Sequence, residues 1–381
     1  MFDYISFVAN FASFYALYLA ISLSLNLEFG YAGIPNFGKV LFIAGGAAFS
    51  GSITGRLAAW VLGIGKGQDF IIFNFSILGQ VNSVLPGYPL LLAALVVLGL
   101  VIGGAVGGIF GGIFTYPAIH LREDYLGLLL LGMAQFFQIF LNTYTPLVGG
   151  TQSILAINPF YYFSTIGITD LTNAAIAVAM VAFAGLVYLY VEKVGRSPLG
   201  RSLRAMRDNN DASSALGKDT SKMRRNALVI ASALGGMAGA MYTFQVAFVG
   251  ASTWTRFDWT FWPFLIVIMG GAANNKGVAL GTFFFVLILK GLEQIQPLIT
   301  PYVFFNPNFI QDLIFAGLLL AILYIRPEGI IREKSTPTLS RGVIEKIVGT
   351  RAEDPASERP EGGALVGNLA EAAGSPEQEA R

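Results

Sequence analysis

Long apolar runs alternate with short polar segments over most of the chain. Several runs exceed the roughly 18 uncharged residues that identify a membrane-spanning helix. The pattern predicts an all-α, polytopic membrane bundle of about nine spans, with eight or ten as alternatives. The seventh run is short and ends in glycines, which leaves a bent or re-entrant element open. The predicted spans lie near residues 7–27, 40–64, 88–115, 125–146, 173–191, 226–249, 260–272, 277–292 and 309–325.

The largest polar interruption is residues 195–225, which read GRSPLGRSLRAMRDNNDASSALGKDTSKMRR. This segment cannot lie in lipid, and its excess of Lys and Arg places it in the cytoplasm. A short helix of small residues is predicted from about Asp211 to a stop at Gly217. Its candidate capping residues are Asp208, Asn209 and Asn210. The segment is predicted to dock another protein, and a charged loop that only enforces topology is the alternative.

The distribution of charge predicts how the chain is oriented. Only 12% of the 381 residues are charged, against about 25% in soluble domains. If 195–225 is cytoplasmic, the spans alternate so that the same side receives Lys39, Arg122, Lys276 and Arg326. The opposite loops hold only Lys66 and Arg256. We therefore expect an N-terminus outside the cell membrane, a membrane domain over 1–334, and a mostly disordered cytoplasmic tail over 335–381.

The residue inventory limits the chemistry of this chain. It has no Cys and a single His, His120, so disulfides and Cys nucleophiles are excluded and a His-based metal site is disfavoured. No G-x-x-x-x-G-K-[ST] motif occurs, so the chain does not hydrolyse ATP by that route. An intramembrane enzyme would need more acid–base groups than these. We expect no catalytic residue, no bound cofactor or metal, and no nucleic-acid partner.

Polar residues and helix-breaking glycines inside the spans are the candidates for a translocation pathway. Gly30, Gly33, Pro35 and Asn36 together predict a helix break, which membranes tolerate only where the backbone lines protein or water. For any single Asn or Gln, an interhelical hydrogen bond is the alternative role. Glu28 is expected at the inner interface. The candidates are Asn26, Gly30, Gly33, Asn36, Gln135, Gln138, Asn142, Gly149 and Gly150.

Glycines at four-residue spacing are expected to serve a different purpose. They are typical of helices that pack backbone to backbone. The residues concerned are Gly103, Gly107, Gly111, Gly235 and Gly239.

Five segments, in order, resemble the branched-chain amino acid permease family, the LivH/LivM-type inner-membrane subunits of ABC importers, with LivM-type closer. The longest begins GRSLRAMRDNNDASSALG in the polar segment and continues to Tyr242, and it is similar to the family's coupling-loop region. NLEFGYAGIPNFGK matches the family's first segment, and RPEG matches its closing R-P-x-G. The resemblance runs from about residue 26 to residue 331. The two remaining segments are 120–154 and 264–281.

The resemblance implies a type II-like ABC importer permease with several partners. These are a homologous permease subunit, as a heterodimer rather than a homodimer, two cytoplasmic ATPases that use ATP and Mg, and an extracytoplasmic solute-binding protein. It also implies that the polar segment carries a coupling helix seated in an ATPase groove. Carried over by position, the docking residues are Ala212, Ala215, Leu216 and Gly217, flanked by Arg204 and Arg207.

The chain departs from the family pattern at several positions, which bears on the solute. Lys39 stands where the family usually has His, and Leu130, Gln135 and Gln138 stand where Thr, Glu and Arg are frequent. The expected solute is small and polar, branched-chain or another amino acid, with urea or amides open. An ion-coupled secondary transporter is the alternative function. That class favours intramembrane carboxylates and paired broken helices, and the sequence indicates one break and no mid-membrane carboxylate.

Overall fold

A computed structural model of the chain describes residues 4–116, 121, 123–161, 163, 169–300 and 308–333. Among these residues, seven helices are long and apolar enough to cross a membrane. They are α1 (Tyr4–Leu25), α2 (Lys39–Leu62), α4 (Pro89–Thr115), α5 (Glu123–Thr143), α7 (Thr169–Arg196), α10 (Thr220–Val246) and α12 (Asn275–Ile299). His120, Arg122 and the predicted tail lie outside the described residues.

Two of the predicted spans form shorter apolar helices. A π-helical turn, Phe257–Phe261, leads directly into α11 (Trp262–Gly270), and α13 covers Asn308–Ile325. At 1.5 Å per residue, the apolar stretch Phe257–Gly270 reaches about 21 Å, less than the thickness of a bilayer core. Each of the nine predicted runs is helical, so the all-α, polytopic bundle is confirmed.

Short elements complete the described fold. Two-residue strands β1 (Ile154–Leu155) and β2 (Phe248–Val249) pair antiparallel, with Ile154 opposite Val249. This small sheet is an addition to the predicted all-α bundle. The remaining short helices are α3 (Asn74–Val84), α6 (Thr145–Val148), α8 (Pro198–Asp208) and α9 (Asn210–Ala215).

Contacts between loops sort them into two ends of the bundle. At the end that we call the sheet end, Asn74 and Asn82 of α3 hydrogen-bond the backbone around β1, at Leu155, Ala156 and Asn158. At the other end, called the loop end, Arg207 donates to the carbonyl of Gly30 at 2.7 Å. Segments 26–38, 192–219, 270–276 and 326–333 meet at the loop end. The apolar elements thus alternate between the two ends, as the charge argument requires.

Glycine faces bring α2, α4 and α10 into backbone contact in the core. A Cβ added at Gly107 would strike the carbonyl of Ser232, and one at Gly103 would lie 2.7 Å from the carbonyl of Gly236. A Cβ at Gly239 would strike the carbonyl of Ile43 in α2. Close approach of this kind gives membrane helices their van der Waals contact, since lipid offers no hydrophobic driving force between them. The predicted packing role is confirmed for Gly103, Gly107 and Gly239.

Candidate functional site

The chain between α1 and α2 is a helix break at the loop end. After Leu25 the backbone winds into a π-helix over Asn26–Tyr31, and residues 32–38 lead without regular helix to Lys39. Gly33 has φ of +72°, a conformation that glycine adopts without steric cost. Pro35 brings no amide donor that would need a helical partner. The predicted break is confirmed, and we call residues 26–38 break 1.

Break 1 buries an ion pair. The Lys39 ammonium lies 2.8 Å from Glu28 Oε1, and both side chains are 0% exposed. Asn36 Nδ2 donates to Glu28 Oε2 at 3.1 Å, and Lys39 Nζ also donates to the carbonyl of Ala231 in α10 at 3.1 Å. Buried charges are tolerated when they are paired and hydrogen-bonded in this way.

The burial of this pair corrects one expectation. Lys39 is fully buried and is not a loop charge, whereas the placement of Glu28 at the inner interface stays a prediction, because burial inside the protein does not set its depth in the membrane. The reason is that break 1 turns both side chains inward, where each neutralises the other. Lys39 therefore does not belong in the count of basic residues that orients the chain.

A second break separates α11 from α12, and we call residues 271–274 break 2. Gly271 has φ of +110° and Ala273 φ of +60°. Asn274 ends the break by capping α12, because its Oδ1 accepts from the amides of Lys276 and Gly277 at 3.1 and 3.3 Å. The expectation of a single break is therefore wrong. The glycines at the end of the short seventh run are the sequence signal for it.

Asn26 joins the two breaks. Its Oδ1 accepts from the backbone amide of Ala273 at 2.8 Å, and its Nδ2 donates to Asn275 Oδ1 at 2.9 Å. Asn275 in turn donates to Glu192 Oε2 of α7 at 2.8 Å. A Cβ on Gly30 would collide with Asn26 Oδ1 and with the amide of Ala273. Asn26 thus makes the interhelical hydrogen bonds that were the alternative to a pathway role, and Gly30 leaves the space for them.

The polar loop forms two short helices, α8 and α9. Asn209 caps α9 by accepting from the amide of Ala212 at 2.9 Å, and Gly217 follows with φ of +77°. The predicted short helix is confirmed, and it begins at Asn210, one residue earlier than expected. The four proposed docking residues at its surface are solvent-exposed, and Leu216 is 82% exposed. They are Ala212, Ala215, Leu216 and Gly217.

Arg204 and Arg207 of α8 turn toward the bundle. Arg207 Nη2 contacts Glu333 Oε2 at 2.8 Å, and Arg204 Nε lies 3.2 Å from Glu333 Oε1. The Arg204 guanidinium also lies 4.9 Å from the centre of the Tyr31 ring in break 1. Burial alone would lower the pKa of Arg207, but hydrogen bonds and charge from Glu333 and Asp208 raise it. Both arginines therefore have partners within the chain, whereas the sequence argument places them beside the docking surface.

The remaining pathway candidates lie on α5, which packs against break 1 nearer its start through Gly127 and Leu130, and on the turn that follows it. Gln135, Gln138 and Asn142 are half-buried, and Asn142 Nδ2 donates to the Gln138 carbonyl of its own helix at 3.1 Å. Gly149 and Gly150 have φ of +73° and +60° in the turn that leads to β1. Among the described residues, no hydrogen bond joins this group to Asn26, Gly30, Gly33 or Asn36. Its role in translocation stays a prediction.

Sequence reasoning missed three polar residues at the loop end: Glu192, Asn275 and Glu333. All three lie at the ends of apolar runs, where a polar residue is ordinary, so the sequence carries no sign of their partners. Asn275 binds Asn26, 249 residues away, and Glu333 binds Arg207, 126 residues away. Such partners are visible only once the helices are packed.

Comparison with known proteins adds to this geometry. Residues 7–323 match the family described as branched-chain amino acid transport system / permease component. A probable branched-chain amino acid transport permease protein LivM from Methanocaldococcus jannaschii is 36% identical over 336 residues, which cover 87% of this chain and 95% of that protein. Comparison with solved structures gave no significant match.

Two further relatives are more distant. The high-affinity branched-chain amino acid transport system permease proteins LivM of Salmonella typhimurium and Escherichia coli are 25% and 24% identical over 236 residues. The match covers 57% of this chain and 52% of each relative. The similarity to these two proteins therefore extends over about half of their length.

Proposed function

The chain belongs to the branched-chain amino acid transport permease family, and we propose that it forms part of the path by which an ABC importer carries branched-chain amino acids. It is a permease subunit of such an importer. The relatives are named as permeases for branched-chain amino acids, and for that reason we propose these solutes over urea and amides. The subunit performs no covalent step of its own, and it transports by alternating access.

The proposed assembly contains this chain, a distinct homologous permease subunit, two ATPases and an extracytoplasmic solute-binding protein. ATP and Mg are bound by the ATPases, since the chain has no P-loop motif. The loop end faces the cytoplasm and the sheet end faces outward. The support for this orientation is the cluster of Lys and Arg in residues 193–225.

The observation that carries the proposal is the placement of α9. It is a capped helix of small residues, four of which are exposed. The preceding helix, α8, is bonded through Arg207 to the carbonyl of Gly30 in break 1. When the two ATPases close, a rigid helix seated in a groove of one of them would move with it. The bond between α8 and break 1 would transmit this movement to the membrane helices.

The test uses the complete importer, co-expressed and reconstituted in liposomes with its binding protein. We expect uptake of leucine that requires ATP and exceeds uptake of urea. Ala215→Asp introduces a buried charge into the proposed groove contact, an unfavourable change, and should abolish solute-stimulated ATP hydrolysis. Ser83→Asp is the matched control, because Ser83 is an exposed small residue of the short helix α3 at the sheet end.

Two results would contradict the proposal. Normal stimulation in Ala215→Asp would remove α9 as the docking element. Uptake by this chain alone, in liposomes without ATP, would favour an ion-coupled carrier, for which the buried Glu28 and the two breaks would then be the relevant features.

A further inference from the structure

The chain that follows α13 forms a strap, residues 326–333, across break 2. The amide of Ile330 donates to the carbonyl of Met269 at 2.8 Å, and the amide of Ile331 donates to that of Gly270 at 3.1 Å. Asn274 Nδ2 donates to the carbonyl of Arg332 at 2.8 Å. These three bonds fasten the strap to the end of α11 and to the cap of α12.

The last residue of the strap, Glu333, reaches the polar loop. Its two carboxylate oxygens divide between Arg204 and Arg207, which lie three residues apart and hence on one face of α8. The three side chains are between 21% and 28% exposed. Arg207 Nη2 donates a charge-assisted hydrogen bond to Glu333, which is stronger than a neutral one, whereas Arg204 Nε forms an ion pair with the same carboxylate. Partial burial reduces the screening of both interactions by salt.

We propose that Glu333 is a positioning residue for transport, which clasps α8 to the strap so that one movement of the polar loop reaches both breaks. This inference rests on the proposed docking of α9 to an ATPase. Arg207 carries the movement to break 1 through the carbonyl of Gly30. Glu333 carries it to break 2 through the strap.

The geometry of the clasp supports this role over that of a simple surface ion pair. Arg207 donates to the carbonyl of Gly30 with one terminal nitrogen, and its other terminal nitrogen is shared between Glu333 and the adjacent Asp208. A Cβ on Gly33 would lie 2.6 Å from Arg207 Cγ, so the arginine stem is also packed against break 1. Rotation of α8 therefore cannot occur without disturbing either break 1 or the strap.

The strap also provides a matched comparison. Glu328 pairs with Arg332, four residues on, and their side chains are 56% and 82% exposed. Exposed pairs of this type contribute little, and among the described residues no hydrogen bond or ion pair joins these two side chains to α8 or break 1. Replacing Glu328 changes the charge of the strap by the same amount without opening the clasp.

The experiment measures solute imported per ATP hydrolysed in the reconstituted importer, for the wild type, Glu333→Gln and Glu328→Gln. Glu333→Gln keeps the size of the side chain and removes its charge. We expect it to lower the ratio about tenfold, a typical coupling between two sites, while ATP hydrolysis without solute is retained. Glu328→Gln should keep the wild-type ratio. An unchanged ratio in Glu333→Gln, or an equal loss in both variants, would overturn the proposal.

Hydrogen exchange on the purified full-length chain separates failure of the clasp from failure of the proposed function. If the wild-type assembly shows no ATP-dependent uptake, the proposed function is refuted, whatever the Glu333 variant does. The clasp is then tested by amide exchange at residues 30–34 and 330–331. Faster exchange at both sites in Glu333→Gln, but not in Glu328→Gln, would support a mechanical link. Exchange equal to the wild type would refute it.

Discussion

At the scale of single residues, the buried pair of Glu28 and Lys39 is the most consequential finding. Each side chain has another polar partner, Asn36 for the carboxylate and the Ala231 carbonyl for the ammonium. The pair therefore links the π-helical turn of break 1, the start of α2 and the middle of α10. A buried pair costs desolvation, so its value lies less in net stability than in holding these three segments in one arrangement.

Removing one partner of this pair should destabilise the protein far more than removing both. Lys39→Met leaves a buried, uncompensated carboxylate and should lower the free energy of unfolding by about 3–5 kcal/mol. The double variant Glu28→Gln/Lys39→Met should recover most of that loss, because no charge remains to be desolvated. Unfolding in mixed detergent micelles measures both values.

The control for this comparison is Arg332→Met, which removes one partner of an exposed pair. It should change the free energy of unfolding by about 1 kcal/mol or less. If Lys39→Met were as mild as Arg332→Met, the ammonium of Lys39 could not be the essential partner of Glu28.

At the scale of elements, α9 depends on its caps. With six residues, Asn210–Ala215, it is far shorter than the roughly 12–15 residues that an isolated helix needs in water. Asn209 satisfies an amide at its start, and Gly217 adopts the left-handed conformation past its end. The element is thus preformed by local sequence, which lowers the ordering entropy that a docking partner would otherwise have to offset.

Asn209→Ala should weaken ATPase docking without disturbing the membrane bundle. Loss of an N-cap costs about 1 kcal/mol, which corresponds to roughly a fivefold weaker affinity of the ATPase for the permease. The matched control is Asp219→Ala, since Asp219 caps α10 in the same way, accepting from the amide of Lys222 at 2.9 Å. α10 spans Thr220–Val246 and is held by packing along its length, so its start should tolerate the loss. Equal weakening in both variants would argue against a specific role for the α9 cap.

At the scale of the whole molecule, the polar segments separate cleanly between the two ends of the bundle. Break 1, break 2, the polar loop and the strap all meet at the loop end, joined by Asn26, Arg207 and Glu333. At the sheet end, α3 and the paired strands form a separate cover over the bundle. The polar loop therefore lies next to both break 1 and break 2, so a movement of the loop would reach both breaks.

The orientation of these ends can be tested directly, because the natural chain has no Cys. A single Cys at Ser214 on the polar loop should react with a membrane-impermeant maleimide only in inside-out vesicles. A single Cys at Ser83 should react only in right-side-out vesicles or intact cells. Both serines are exposed on the surface of this chain, so in vesicles prepared from cells that do not express the ATPases a missing reaction reports sidedness and not burial. The reverse pattern would place the polar loop outside and contradict ATPase docking.

Local patterns along the chain are enough to establish the helical class, the apolar elements, the cap and stop of α9, the position of break 1 and the family. These properties depend on local pattern: lipid requires each backbone polar group to be satisfied within its own helix, and caps act over three or four residues. The family followed from motifs that keep their order along the chain.

Which polar side chains pair with each other follows from the packed fold. Glu28 and Lys39 look like boundary charges until break 1 turns them toward each other. The glycines of break 2 are a local signal, but the segment that packs on them is not: Gly271 leaves room for the carbonyl of Ile331 in the strap, sixty residues further along. Arg204 and Arg207 face inward because Glu333, more than a hundred residues further along, lies beside them. Contacts of this kind depend on how distant helices pack, and no local pattern encodes which charges will meet.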